Sequence, residues 1–398
     1  NIIQLMSQKE EVHKFWDSQP VPKMQDDITE EGEIEVTQQE DISKNPSPLP
    51  NGFEWYAFDV KSDDDMKDVY DVLEKHYVED SDSMFRFAYP ISFLRWALTP
   101  PGWVRTLHLC VRVTKTKQMV GIITGVPAEI RVKDKVMKMV EINFLCVNKT
   151  LRDKRLAPVL IKEVTRRTHC LGTFQAVYTA GIKIPKPVST TRYYHRSINP
   201  RKLIDIRFSG IPRKFRAFKD PIKQIELINA IPDTPSLPGF RPMFKRDHAH
   251  VHPLIVKYLE KFELAPIFSR KDFVHWMKTT KDVLYSYVVE NPETKKITDF
   301  GCFYALPSTV IGHKKHKVLK AAYLFYYVNT SAALDELIMN LLVMAKKEGF
   351  DVFNCLDIHD NLSFVDQLNF GVGSGNLFYY LYNYKLPELD PKSVGITM

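Results

Sequence analysis

The sequence predicts a mixed α/β (α+β) chain made of two halves of similar topology, and three observations carry that prediction. Helix-spaced segments and strand-like apolar runs follow one another as helix, antiparallel strands, helix, strand, and the rhythm recurs on either side of residue 200 with no residue-level repeat. Apolar residues make up 44% of 398, ample for a sizeable core in one large domain or in two to three ordinary ones. No apolar run approaches the roughly 20 residues that a membrane span requires, and the first residues do not read as a secretory signal. The chain therefore reads as soluble and intracellular.

Taken in order, residues 17–50 are rich in Asp, Glu, Gln, Ser and Pro and read as an extended segment with no core of its own. Phe15 and Trp16 precede it, either as part of an arm that docks on the body or as the hydrophobic staple of a short helix. Met66, Val69, Tyr70, Leu73 and Tyr77 fall at helical spacing in MKDVYDVLEKHY. LHLCVRVT, QMVGIITGVPAEIRV and KMVEINFLCVN read as three antiparallel strands. A helix then begins near Leu156, with Leu156, Val159, Leu160 and Val164 on one face and Pro158 tolerated in its first turn. AVYTAG is a short strand, followed by the basic aromatic segment RYYHRSINPRKL.

The second half opens with helices at 248–262 and 270–278 and the strands VLYSYVVE, ITDFGCFYAL and LKAAYLFYYV. Next come the helix LDELIMNLLVMAKKEG, the strand VFNCLD and the Gly-rich NFGVGSGNLFYYLYNY. HKKHK at 313–317 reads as an exposed hairpin loop. FGVGSGN flanks a strand and lacks the strand–GxGxxG–helix setting of a nucleotide loop. His248, His250 and His252 alternate like ligands, but their segment looks helical and no carboxylate or Cys spacing completes a metal site.

Charge is segregated along the chain. The formal net charge is +7, yet Asp59 to Asp82 holds ten acidic and three basic side chains, and Lys183 to Lys219 holds eleven basic and one acidic. Two oppositely charged surfaces suggest two ligands of opposite sign. Five widely spaced cysteines without a CxxC argue for a reducing compartment and against a disulfide framework or zinc ribbon. Arg152, Lys154 and Arg155 gather between the strand EINFLCV and the helix start at Leu156. That run is either a solvated loop or a phosphate site, since a helix N-terminus offers unpaired N–H groups and a positive dipole end.

Strands leading into a cationic loop and then a helix resemble the GCN5-related acetyltransferase fold, where the CoA pyrophosphate lies on a loop of the form (Q/R)xxGx(G/A). Residues 152–157, RDKRLA, fit that form except that Arg155 stands where glycine is usual. EINFLCVNKTLRDKRLAPVLIKEVTRR, KFWDSQPVP, FRFAYPISFLRWALTPPGW, YTAGIKIPKPVSTTRYYHRSINPRKL and FGVGSGNLFYYLYNY together closely resemble the N-myristoyltransferases, from about Lys14 to Met398. The resemblance implies two tandem acetyltransferase-like halves related by a pseudo-two-fold. It divides the chain into an arm (1–50) docking on the CoA site, a half (51–203) binding myristoyl-CoA, and a half (204–398) binding peptide and carrying a catalytic C-terminus.

The activity so implied is direct transfer of a C14 acyl group from myristoyl-CoA to the α-amine of an N-terminal glycine. There is no prosthetic group and no metal, and myristoyl-CoA is a co-substrate. By resemblance, the backbone amides of Phe144 and Leu145 form the oxyanion hole, where a bulge would turn N–H groups out of the ladder. The carboxylate of Met398 is the base, and Asn143 and Thr179 stand near the amine. Myristoyl-CoA is held by Lys14, Phe15, Trp16, Phe144, Leu145, Cys146, Val147, Arg152, Asp153, Lys154, Arg155, Leu156 and Ala157, with no nucleophilic role for Cys146. The peptide groove takes Tyr77, Val78, Asp80, Asp82, Phe85, Phe87, Tyr193, His195, Ser308, Tyr323 and Ser374, the last where many relatives carry Asp.

Partners expected on this reading are myristoyl-CoA and proteins or nascent chains with an N-terminal glycine, bound by a monomer that takes no DNA. The expected location is cytoplasmic, with a ribosome- or membrane-associated fraction allowed. Two alternatives remain: another acyl-CoA-dependent protein N-acyltransferase of the same fold, or a non-enzymatic protein whose basic stretch binds RNA or an anionic membrane.

Overall fold

The architecture follows from where the locally specified elements find partners. A computed structural model describes residues 14–78 and 84–397. The helix Asp63–His76 shows the local logic: Ser62 accepts from the Asp65 N–H, three Asp occupy the first turn, and Lys75 and His76 close the last, all matching the helix dipole. Its Met66, Val69, Val72 and Leu73 are buried against the sheet.

A thirteen-stranded sheet runs through the molecule. From one edge its order is Phe53–Ala57, His108–Val113, Met119–Val132, Lys135–Val147, Ala176–Ala180, Gly371–Tyr382, Ser189–Ser197, Val352–Leu356, Ala321–Asn329, Ile297–Ala305, Leu284–Glu290 and Phe240–Pro242. Leu264–Pro266 pairs with the far end of Met119–Val132. Two joints are parallel, Lys135–Val147 with Ala176–Ala180 and Ala321–Asn329 with Val352–Leu356. Each is bridged by one long helix, Leu156–Cys170 and Leu334–Lys347 respectively, because a parallel pair needs a crossover. This is the recurring rhythm made concrete.

The two halves share strands. Gly371–Tyr382 inserts between Ala176–Ala180 and Ser189–Ser197, antiparallel to both, and Ser189–Ser197 goes on to pair with Val352–Leu356. The basic aromatic RYYHRS, given no element from sequence, is thus a central strand. The glycine-rich run is a strand with a large register break between Val372 and Asn376. Gly373 sits there because a Cβ would stand 2.5 Å from His195 Nε2.

Residues 14–51 lie along the body. Trp16 is buried and stacks on Tyr178 at 5.9 Å, the Pro20 carbonyl accepts from the Asn383 N–H, and Gly32–Glu33 pairs with Tyr384–Lys385. The three alternating histidines lie at the start of the helix His248–Leu259, where His248 packs on Phe273 and His252 Nε2 meets the Phe268 carbonyl at 2.8 Å. Among the described residues no helix is long and apolar enough to cross a membrane.

Candidate acyl-transfer site

The hairpin Met119–Val132/Lys135–Val147 carries the first component. Thr124 faces Asn143 and Ile122 faces Cys146, so Phe144 and Leu145 together oppose the single residue Ile123. This β-bulge takes their amides out of the regular ladder. Phe144 adopts φ +53°, a left-handed backbone rare for an aromatic residue. Packing holds it there: its ring is buried, 5.1 Å from Tyr89 and 6.2 Å from Tyr77. The Phe144 amide faces the Tyr77 hydroxyl, whose titration burial pushes far above the ordinary tyrosine range.

The strand then runs into the 3-10 turn Lys149–Lys154, capped by the Asn148 side chain, and into the helix Leu156–Cys170. The N-cap residue, Arg155, places no side-chain cap on that helix. A helix start of this kind suits an anion, and Arg152, Lys154 and Arg155 are exposed at it. Arg152 Nη2 donates to the His76 carbonyl at 2.6 Å, tying the turn to the end of the helix Asp63–His76. Gly121, paired with Val147, lets the helix start sit close on the strand end, since a Cβ would stand 2.9 Å from Leu156 Cδ2. Leu145, Val147, Leu156, Ala157 and Leu160 form one apolar cluster there. Phe15 and Trp16 pack against Ile161 of the same helix, and Lys14 is exposed beside them.

A cleft of about 1840 Å³ opens on the other side of the bulge. That exceeds the usual volume for one small ligand. Tyr77, Tyr89, Phe93, Trp96, Tyr304 and Tyr323 wall it, and Asn143, Phe144 and Thr179 reach it from the sheet. The tail of the chain enters it too, because Ile396 and Thr397 line the same space. The tail is fixed strongly: Gly395 N–H donates to the Leu264 carbonyl at 2.7 Å, Tyr379 hydroxyl donates to the Ile396 carbonyl at 2.9 Å, and Thr397 N–H donates to Tyr326 hydroxyl at 3.1 Å.

Of the residues expected from sequence, Tyr77, Val78, Phe87, Asn143, Phe144, Thr179, Tyr193, Tyr323 and Ser374 line the cleft. Behind its wall sit His195, hydrogen-bonded through Nδ1 to Asn354 Oδ1 at 2.6 Å, buried Ser308, and Phe85 packed on Phe208. Burial holds the His195 ring below the ordinary imidazole range, against the pull of Asn354. Cys146 is buried with its thiol pushed up to about 12, unsuited to a nucleophile. Asp153 is exposed on the cationic turn. Asp80, Asp82 and Met398 lie outside the described residues.

Several residues of the site escaped the sequence reading: the cleft's aromatic wall of Tyr89, Phe93 and Trp96, Tyr326 and Glu141 that also line it, and Tyr379, which holds the tail. One signal was available for Glu141, a carboxylate in the middle of the apolar run MVEINFLCV.

The family described as myristoyl-CoA:protein N-myristoyltransferase matches with its N-terminal domain over residues 33–191 and its C-terminal domain over residues 205–396. The chain is 47% identical over 386 residues to glycylpeptide N-tetradecanoyltransferase 2 of Danio rerio, spanning 97% of this chain and 77% of that one. It is also 47% identical over 395 residues to glycylpeptide N-tetradecanoyltransferase of Dictyostelium discoideum, spanning 99% and 94%. A crystal structure of Saccharomyces cerevisiae N-myristoyltransferase with bound myristoyl-CoA superposes with a TM-score of 0.91 at 39% identity, covering 97% of this chain and 99% of that one.

Proposed function

The chain belongs to the myristoyl-CoA:protein N-myristoyltransferase family, and from that premise we propose how its cleft transfers a myristoyl group from myristoyl-CoA to the α-amine of an N-terminal glycine. One observation carries the reading: the bulge at Phe144 and Leu145 stands between a helix start that bears three exposed cations and a deep aromatic cleft. The helix start and its cations hold the CoA phosphates, with Lys14, Phe15 and Trp16 beside them. The amides of Phe144 and Leu145, turned out of the ladder by the bulge, bind the oxygen of the thioester carbonyl as it becomes an oxyanion, the Phe144 N–H exchanging the Tyr77 hydroxyl for it, a task worth about 3 kcal/mol per donor. The neutral amine nitrogen forms its bond to the carbonyl carbon, the C–S bond breaks, and the proton the nitrogen then loses goes to the departing sulfur, so that CoA leaves as the thiol.

The amine must shed a proton, and the carboxylate of Met398 is our candidate base. Its support is the burial and hydrogen bonding of the tail up to Thr397, which line the amine's cleft rather than solvent. Asn143 and Thr179 orient the amine, the tyrosine-rich wall takes the residues after glycine, and Asp80 and Asp82 pair with downstream Lys or Arg of the peptide. We assign thioester binding mainly to residues 51–203 and peptide binding mainly to residues 204–398, in a cytoplasmic monomer that meets nascent chains at the ribosome.

The test is release of CoA from myristoyl-CoA with a glycine-starting peptide, set against the same peptide starting with alanine. Release with glycine only is expected. Equal release with both peptides, or a preference for acetyl-CoA, would sink the reading.

A further inference from the structure

Glu141 is a carboxyl group in the cleft to which the transfer step above gives no task. We infer that Glu141 is a positioning residue that decides which end of the Asn143 amide meets the incoming α-amine, an inference resting on the reading of this cleft as the transfer site. The two residues stand two apart on Lys135–Val147 and reach the cleft from one face of the strand. Glu141 Oε1 accepts from Asn143 Nδ2 at 2.7 Å. Thr124, itself buried, donates its hydroxyl to the Asn143 carbonyl at 2.9 Å, and the next residue is the bulged Phe144. Asn143 is therefore held by both its backbone and its side chain.

An ionised carboxylate only accepts hydrogen bonds. It turns Nδ2 toward itself and leaves Oδ1, an acceptor, for the cleft, where a neutral amine brings N–H donors. A protonated Glu141 has an O–H to donate, which draws Oδ1 toward it and leaves the Nδ2 donors facing the amine. The amide thus converts the charge of Glu141 into attraction or repulsion for the substrate. Burial raises the Glu141 carboxyl to about 7, against the Asn143 hydrogen bond, which lowers it.

The neighbouring strands present Val126 and Val177 opposite Glu141. Among the described residues, the titratable groups facing it are Tyr326 from Ala321–Asn329 and Tyr379 from Gly371–Tyr382, both pushed by burial above the ordinary tyrosine range and so neutral. Glu129 and Lys138, a cross-strand pair nearer the hairpin turn, line the same cleft.

The test measures kcat/KM for a glycine-starting peptide from pH 5.5 to 9, corrected for the fraction of neutral peptide amine. It uses the full chain with myristoyl-CoA, the variants Glu141→Gln and Asn143→Ala, and their combination, with calorimetric binding of myristoyl-CoA as the folding control. The wild type should lose about tenfold per pH unit below about 7. Glu141→Gln should abolish that limb and lower kcat/KM at pH 8 by about tenfold with thioester binding kept, and should add little to Asn143→Ala. A limb that survives in Glu141→Gln, or a full added loss in the Asn143→Ala background, overturns the inference. Should Glu141→Gln not bind myristoyl-CoA, Asn143→Ala alone decides, because a limb near 7 that persists there overturns it equally. Failure of the wild type to release CoA at any pH would instead refute the transfer reading itself.

Discussion

At the scale of single residues, Arg155 is the one departure from the loop form that the structure explains in part. It adopts φ +55°, ψ +32°, the left-handed conformation that glycine takes without cost, where the 3-10 turn meets the helix Leu156–Cys170. The position asks for glycine by its backbone and holds a cation instead, beside Arg152 and Lys154 at a helix start that its own side chain does not cap. Two variants separate the two properties. Arg155→Gly and Arg155→Ala remove the same guanidinium, so both should weaken myristoyl-CoA binding alike. Only alanine keeps the backbone strain, so Arg155→Gly should be the more stable by about 1 kcal/mol in urea unfolding. Equal stabilities would show that the left-handed turn is not maintained in solution.

Elements explain what could be read in advance and what could not. The helix Asp63–His76 carries its period and its Ser62 cap locally, Leu334–Lys347 carries its period, and the long hairpin carries its alternation, so all three are legible. Nothing local in RYYHRS or NLFYYLYNY says that these two strands will lie side by side at the centre of the sheet, since the choice of partner is non-local. The site divides in the same way. The cationic turn and the bulged strand end are continuous in sequence, whereas the aromatic wall draws on Tyr89, Trp96, Tyr304 and Tyr323 from separate elements. The tail belongs with the non-local features. Residues 393–397 are held by Glu263, Leu264, Tyr379 and Tyr326. At Gly395 a Cβ would stand 3.0 Å from the Cβ atoms of both Ala265 and Phe262. Gly395→Ala should therefore shift the tail and lower kcat by at least tenfold while leaving myristoyl-CoA affinity unchanged. Gly210→Ala, which meets nothing within 4 Å, is the control and should leave kcat unaltered. A Gly395→Ala enzyme with full kcat would mean that tail position does not govern the chemistry.

Over the whole molecule, the buried titratable groups give opposite responses to acid. His108, stacked between Phe58 at 5.5 Å and Trp103 at 5.3 Å, is held by burial at about 4. His359, enclosed by Tyr258, Phe262, Tyr326 and Tyr327 beside the tail, is likewise held by burial at about 4. An unfolded histidine takes its proton near 6.5 and these native ones do not, so each contributes stability above 6.5 that is lost as pH falls toward 4. Glu141 acts in the other sense: with its carboxyl raised to about 7, the native state holds a proton that the unfolded chain releases above its ordinary value, so its contribution grows as pH falls through 7. The net acid response mixes both signs, and a difference between two proteins isolates one group. His108→Phe keeps an aromatic ring between Phe58 and Trp103 and removes the titration. Between pH 6.5 and pH 5 the wild type should lose about 1.6 kcal/mol more stability than His108→Phe in urea unfolding, from a limiting slope of roughly 1.4 kcal/mol per pH unit for one proton that is half reached at pH 6.5. Parallel losses in the two proteins would mean that His108 charges without cost in the native state. The ring would then reach solvent, and the stack that joins this strand end to Phe58 and Trp103 would open in solution.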